Sequence, residues 1–503
     1  MLFVEFRFLF FFLLVFGVHW ALRGNTSRKL WLLVANHFFY ACFFIGEPLP
    51  FWENLTGGHW DKLPPGWWFP AVLWASTCMD YAVGLGLGNS KTEGRRRAWL
   101  LASILANLGV LCFFKYFNFF LTSASAFLSW FGLPASDWTL QIILPYGVSF
   151  YTFQSMSYSI DVYRRRLEPV RSFLDLAFFI SFFPQLVAGP IVRAMTFLPQ
   201  VFEKRVWARV DVRACLALFF LGFVKKACIS ENVAPVVDAL FADPQKYNLF
   251  STWIGVLFYA VQIYCDFSGY TDMALATARL LGYELTVNFS FPYFAQHITE
   301  FWRRWHISLS TWLRDYLYIS LGGNRGTKLF TYRNLMLTML LGGLWHGASW
   351  TFVIWGGLHG LALIVHREWQ RLTENAGTAF QTVMRWIAVP LTFYRICITW
   401  IFFRSQDIKD ADGHVTRTGF KTASTILDSF VLFDSHGKRA FAVESLWVFA
   451  ALAAVHWLNS RGMLATWWRR IPSWAFAALL GAGTAVALFF VPAKYKAFIY
   501  FQF

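Results

Sequence analysis

Two histidines sit where a proton-accepting group is expensive to keep. His346 lies in LLGGLWHGASW, with aliphatic residues before it and Gly342, Gly343 and Gly347 allowing close backbone approach. An imidazole with an unperturbed pKa of about 6.5 takes and returns a proton near neutral pH, so this position suits a general base toward an attacking hydroxyl. By position alone, a histidine bonded to a neighbouring helix explains it equally well. His306 lies in TEFWRRWHISLSTWLRDYLY, where Phe301, Trp305, Leu309 and Trp312 recur at three- and four-residue steps and predict an amphipathic helix carrying Arg303 and Arg304. For the two arginines, contacts to lipid headgroups at an interface are as good a reading as any ligand role.

Other groups are weaker candidates. Asp266 and Asp272, in CDFSGYTD, flank Gly269 and predict a polar helix break. A carboxylate can orient a histidine as in catalytic triads, but stabilising the break or pairing with Arg279 or Arg314 is the better account. His297 and His359 are second-tier, since buried histidines are more often satisfied structurally. Asn288, Arg314, Asp315, Asn324 and Asn334 are read as structural. Ser308 and Ser310 lack a GxSxG elbow. The seven scattered cysteines form no CxxC or Cys/His spacing, so free thiols and no metal are expected.

The elements that must position these groups lie in lipid. Of 503 residues, 57% are AVILMFWYC and 14% charged, against about a quarter charged in soluble domains. The apolar runs recur from end to end, which excludes a water-soluble fold. The +16 formal charge falls in short clusters between apolar runs, a topology signal rather than a nucleic-acid surface. The run Phe8 to Val18 resembles a signal-peptide core, but no small-x-small site follows Trp20 and a second run, Leu30 to Ile45, comes soon after; an uncleaved span is expected.

Basic clusters after the first, third and fifth spans (Arg23, Arg28, Lys29; Lys91, Arg95, Arg96, Arg97; Arg164, Arg165, Arg166, Arg171) point to the cytoplasm. The basic-poor connections Glu47 to Trp68 and Thr122 to Thr139 are then loops on the other face, and the N-terminus is extracytoplasmic. Phe173 to Pro190 reads as re-entrant, because irregular backbone in a bilayer must be buried in protein or line a cavity. Further spans are expected near Ala214 to Ile229, Thr252 to Tyr264, Leu335 to Leu344, Thr351 to Val365, Trp386 to Phe403, Leu446 to Trp457 and Ala475 to Val491. The fold class is an all-α polytopic membrane protein of roughly ten to thirteen transmembrane, re-entrant and interfacial helices around a cavity. The chain has no visible internal repeat and one long hydrophilic loop, 405–439.

The stretches YCDFSGYTDMA, NFSFPYFAQHITEFWRRWHISLSTWLRDYLYISLGGN and LMLTMLLGGLWHGASWTFVIWGGLHG carry a specific resemblance. They are similar to the core of the membrane-bound O-acyltransferase (MBOAT) family, in its bacterial alginate O-acetyltransferase-like branch. The resemblance extends through LPYGVSFYTFQSMSYSIDVYRRR and FFPQLVAGPIVR to the terminal FIYFQF, departing mainly at Glu47 to Phe69 and Ser405 to Arg439. It implies one MBOAT domain over 1–503, with core motifs at about 260–370.

It also implies an acyltransferase moving an acyl group, usually acetyl, from a cytoplasmic donor such as acetyl-CoA to a hydroxyl at or beyond the other membrane face. No tightly bound cofactor is expected. The family's two histidine positions fall on His346, expected as the base, and His306, expected as its helper in orienting the acyl carbonyl or gating. Arg303 and Arg304 could then meet the phosphates of a CoA-type donor. A polysaccharide acceptor, a separate extracytoplasmic transferase and a bacterial inner-membrane location follow from the same branch. Transfer of D-alanyl or another acyl group, and secondary transport, are the alternatives.

Overall fold

A computed structural model describes residues 1–43, 64, 66–133, 139–409, 415–442, 444–463, 467–492 and 499. Among the described residues the regular secondary structure is helical apart from one short antiparallel pair of strands, Ile408–Lys409 and Val415–Arg417. The all-α class expected from composition is therefore observed. Glu93–Trp130, Leu249–Leu280 and Trp386–Arg404 are long and apolar enough to cross a bilayer, and Phe6–Ala21 and Ser473–Phe489 are shorter apolar helices. Large side chains such as Phe10, Trp474 and Phe489 point away from the protein, as they can only where lipid replaces water. The protein is a multi-pass membrane protein.

The chain forms two compact units, Met1–Phe219 with Thr271–Thr286, and Phe220–Tyr270 with Val287–Phe503. The first contains α1 (Phe6–Ala21), α2 (Asn25–Ala41), α3 (Phe69–Asn89), α4 (Glu93–Leu111), α5 (Val148–Tyr163) and α6 (Phe173–Ser181). In α1, Phe8, Phe11, Phe12 and Val15 are buried at helical spacing while Phe10, Leu13 and Leu14 stay exposed. One face thus packs on Phe39 of α2 and on Phe183, and the other is left to lipid. Two of the basic residues after this span are consumed in packing: Lys29 pairs with buried Asp175, and Arg28 donates to the carbonyls of Leu22 and Arg205.

The helix α6 has nine residues, is capped by Ser172, and gives way after Phe182 to a single buried turn, Phe183–Leu186. A segment this short cannot cross alone, consistent with a re-entrant reading. The connection expected over Thr122 to Thr139 is different. The helix of α4 continues through a π turn, Cys112–Tyr116, into Phe117–Trp130. Thr122 returns its hydroxyl to the carbonyl of Asn118, so a polar residue sits in the helix without breaking it. Most of the Glu47 to Trp68 connection lies outside the described residues.

The 32-residue helix α7 (Leu249–Leu280) belongs to the second unit up to Tyr270 and to the first from Thr271. It corrects the expected break at Asp266 and Asp272. Gly269 serves contact rather than a turn: a Cβ there would stand 2.7 Å from the carbonyl oxygen of Gly222 and 2.9 Å from the amide of Lys226. Asp266 is buried but satisfied, pairing with Lys226, which also holds Glu231 at 2.8 Å, and accepting the amide of Ile499 at 2.8 Å. The expected arginine partners are engaged elsewhere, Arg279 with Glu284 and Arg314 with Asp315.

The single amphipathic helix expected around His306 is also corrected. The chain makes α8 (Ile298–Arg304), interrupts at Trp305 and His306, and resumes as α9 (Ile307–Trp312), with a π turn Leu313–Tyr318 behind it. Beyond lie α10 (Lys328–His346), α11 (Trp350–Leu372) and α12 (Thr378–Arg404). The α10 and α11 backbones are in contact at Gly343 and Gly356, where a Cβ would meet the carbonyl oxygens of Phe352 and Met339, each at 2.2 Å. Small residues permit such approach between membrane helices. The expected hydrophilic loop 405–439 contains the strand pair and a helix, Gly419–Phe430, that buries Ala423, Ile426 and Phe430; residues 410–414 lie outside the described ones.

Candidate active site

His306 has φ +43° and ψ +54°, the left-handed region that few non-glycine residues adopt. The restart of the helix is clamped from a distant segment: Ile307 N–H donates to the Asn288 carbonyl at 3.0 Å and Ser308 N–H to Asn288 Oδ1 at 3.1 Å. Asn288 thus supplies the cap that a local residue normally supplies. Its Oδ1 also lies 3.3 Å from His306 Nδ1. Because a backbone N–H already identifies Oδ1 as an acceptor, His306 Nδ1 is the donor and Nε2 carries the lone pair. Nε2 is buried with no hydrogen-bond partner.

His346 is the last residue of α10, 3% exposed, followed by extended Gly347. Its ring centroid is 6.5 Å from that of His306. That is too far for a nitrogen-to-nitrogen hydrogen bond of ~2.9 Å, yet close enough for one small group to contact both. The surroundings are aromatic: Trp355 and Phe403 stand edge-on to His346 at 5.0 and 5.2 Å, and Phe267 edge-on to His306 at 4.7 Å. Such walls exclude water and hold both rings in place.

The structure brings together His306 and His346, while His359 shares the Trp355 ring with His346. Asp266 precedes Phe267 but spends its carboxylate on Lys226 and Ile499. Asp272 lies on the part of α7 that belongs to the first unit. Arg304 pairs with Glu300 at 2.6 Å, and Arg303 is exposed. His359 is fully buried against Trp302 and Trp355, at 5.0 and 4.6 Å, with neither ring nitrogen hydrogen-bonded. Asn288, expected to be structural, reaches the His306 ring, and nothing in NFSF signals this, because the contact joins positions 18 residues apart that no periodicity relates.

The family model described as membrane-bound O-acyltransferase matches residues 99–405, which include both histidines. The chain belongs to that family. Among relatives of this O-acyltransferase, the probable alginate O-acetylase AlgI of Azotobacter vinelandii is 41% identical over 87% of this chain and 85% of its own length. The peptidoglycan O-acetyltransferase of Helicobacter pylori is 37% identical over 77% of this chain and 73% of its own. The teichoic acid D-alanyltransferase of Bacillus subtilis is 25% identical over 52% and 68%. The acyltransferase expected from the motifs is thus a member of an enzyme family whose stronger matches here carry O-acetyl rather than D-alanyl names.

Proposed function

We propose that this O-acyltransferase moves acetyl from a cytoplasmic thioester donor such as acetyl-CoA to O-acetylate an exported polysaccharide. It would act in a bacterial inner membrane, with the N-terminus extracytoplasmic and a separate extracytoplasmic transferase as partner. The observation that carries the reading is the buried pair His306 and His346, in a chain 41% identical to a probable alginate O-acetylase.

In this reading His346 takes the proton of the acceptor hydroxyl, whose oxygen attacks the acyl carbonyl carbon. The tetrahedral intermediate collapses with loss of the thiolate, and the proton on His346 passes to that sulfur. His306, with Nε2 as acceptor, suits holding a hydroxyl or thiol hydrogen better than donating to the acyl carbonyl. The aromatic walls protect the thioester from hydrolysis. Arg303, exposed at the end of α8, is the better placed of the two arginines for donor phosphate, since Arg304 is already paired.

The test is transfer from radiolabelled acetyl-CoA by the purified protein in proteoliposomes, with alginate and other polysaccharides as acceptors and with candidate extracytoplasmic transferases added. Wild type is expected to label polymer or partner, and His346→Ala to lose about 10²- to 10⁴-fold in rate while assembling normally. Undiminished labelling by an assembled His346→Ala variant removes His346 as the base.

A further inference from the structure

The first unit buries a second polar centre, remote in function from the histidines. Asp80, midway along α3, is 0% exposed. Its Oδ1 accepts from Ser103 Oγ at 3.1 Å and Asn107 Nδ2 at 3.0 Å, both on α4, and from Ser159 Oγ on α5 at 3.5 Å. The Ser103 and Ser159 hydroxyls are 2.9 Å apart, and Ser155, one turn earlier on α5, faces the same carboxylate. Among the described residues no lysine, arginine or histidine pairs with Asp80. Arg96, lower on α4, gives its guanidinium to the carbonyls of Leu87, Val162 and Tyr163.

Three oxygens at this junction have no hydrogen-bond partner: Asp80 Oδ2, Asn107 Oδ1 and Ser155 Oγ. Their residues are all nine-tenths or more buried. Unpartnered acceptors beside an uncompensated carboxylate within membrane helices are costly. Donors converging on Oδ1 suit an ionised carboxylate, which leaves one negative charge to be met. The free set is carboxylate, amide carbonyl and hydroxyl, all hard oxygen ligands with no nitrogen or sulfur, which suits alkali and alkaline-earth ions rather than transition metals. One carboxylate neutralises one positive charge, so a monovalent ion fits better than Ca²⁺. The centre is closed one turn further along α3, where the Tyr158 ring lies against Gly84, so close that a Cβ would come within 2.2 Å of its hydroxyl oxygen.

We propose that Asp80, Asn107 and Ser155, backed by Ser103 and Ser159, bind a sodium ion that ties α3, α4 and α5 together.

The full-length protein in detergent is melted at constant pH and ionic strength in NaCl, KCl or choline chloride, following tryptophan fluorescence. Sodium is expected to raise Tm by about 3–8 °C over choline, saturably, and potassium to do less. Asp80→Asn should abolish the sodium increment, and Ser155→Ala should move its midpoint to at least several-fold higher sodium. If Asp80→Asn does not fold, Ser155→Ala and Asn107→Ala decide, since both keep the carboxylate. One Tm in all three salts, or a wild-type sodium response in these variants, overturns the proposal.

Discussion

The rings of His306, at the break between α8 and α9, and His346, at the end of α10, have centroids 6.5 Å apart, and the His306 ring is oriented by a side chain from another segment, Asn288. Activity is therefore expected to depend on a residue with no acid-base chemistry. Replacing Asn288 by Ala removes the acceptor for His306 Nδ1 and for the Ser308 amide, leaving buried donors unmet at a cost of about 1–3 kcal/mol. If ~1.4 kcal/mol of that appears in the transition state, transfer slows about tenfold. Asn288→Asp, which keeps an acceptor, should recover part of the rate in the proteoliposome assay, whereas a purely structural role predicts equal loss in both variants.

The backbone at His306 makes a separate prediction. A left-handed residue tolerates Asn far better than a β-branched side chain. His306→Asn should assemble as wild type and lose activity, while His306→Val should lower Tm at a cost of about 1–3 kcal/mol. Size-exclusion profiles and melting curves distinguish them; equal stability of the two variants would show that the conformation is not constrained.

At the α10 and α11 crossing the constraint is space. Gly356→Ala places a methyl against the Met339 carbonyl, and Gly343→Ala does the same against Phe352. Either change must part the helices, and α10 carries His346 at its end. Both variants are expected to lose at least tenfold in transfer, about 1.4 kcal/mol, whereas Gly357→Ala, whose Cβ would meet only the Leu340 side chain at 3.4 Å, should stay close to wild type.

Lys226 bridges Glu231 and Asp266 in a buried three-charge cluster. Lys226→Ala strands two carboxylates and should destabilise by about 3–5 kcal/mol. Neutralising all three, as Lys226→Met with Glu231→Gln and Asp266→Asn, should recover much of the loss in thermal melting. A triple variant as unstable as the single one would indicate that the cluster matters for packing rather than for charge compensation.

Much of this protein is determined locally and so is legible in its sequence. Apolar runs and sparse charge require an all-α membrane protein, because lipid offers no partner for backbone groups. The LWHG and RRWHIS stretches identify the family and both histidines, since motif spacing is a property of the chain. Tertiary structure decided what those residues touch. Asp266 and Asp272 flanking Gly269 suggest a polar helix break; Lys226 and the Ile499 amide, distant in sequence, pair with Asp266, and α7 runs on. The aromatic period through His306 suggested one helix, but Asn288 caps a restart that periodicity cannot show. Asp80, Ser103, Asn107 and Ser159 are each ordinary polar residues in their own helices, and they become a centre only where α3, α4 and α5 meet.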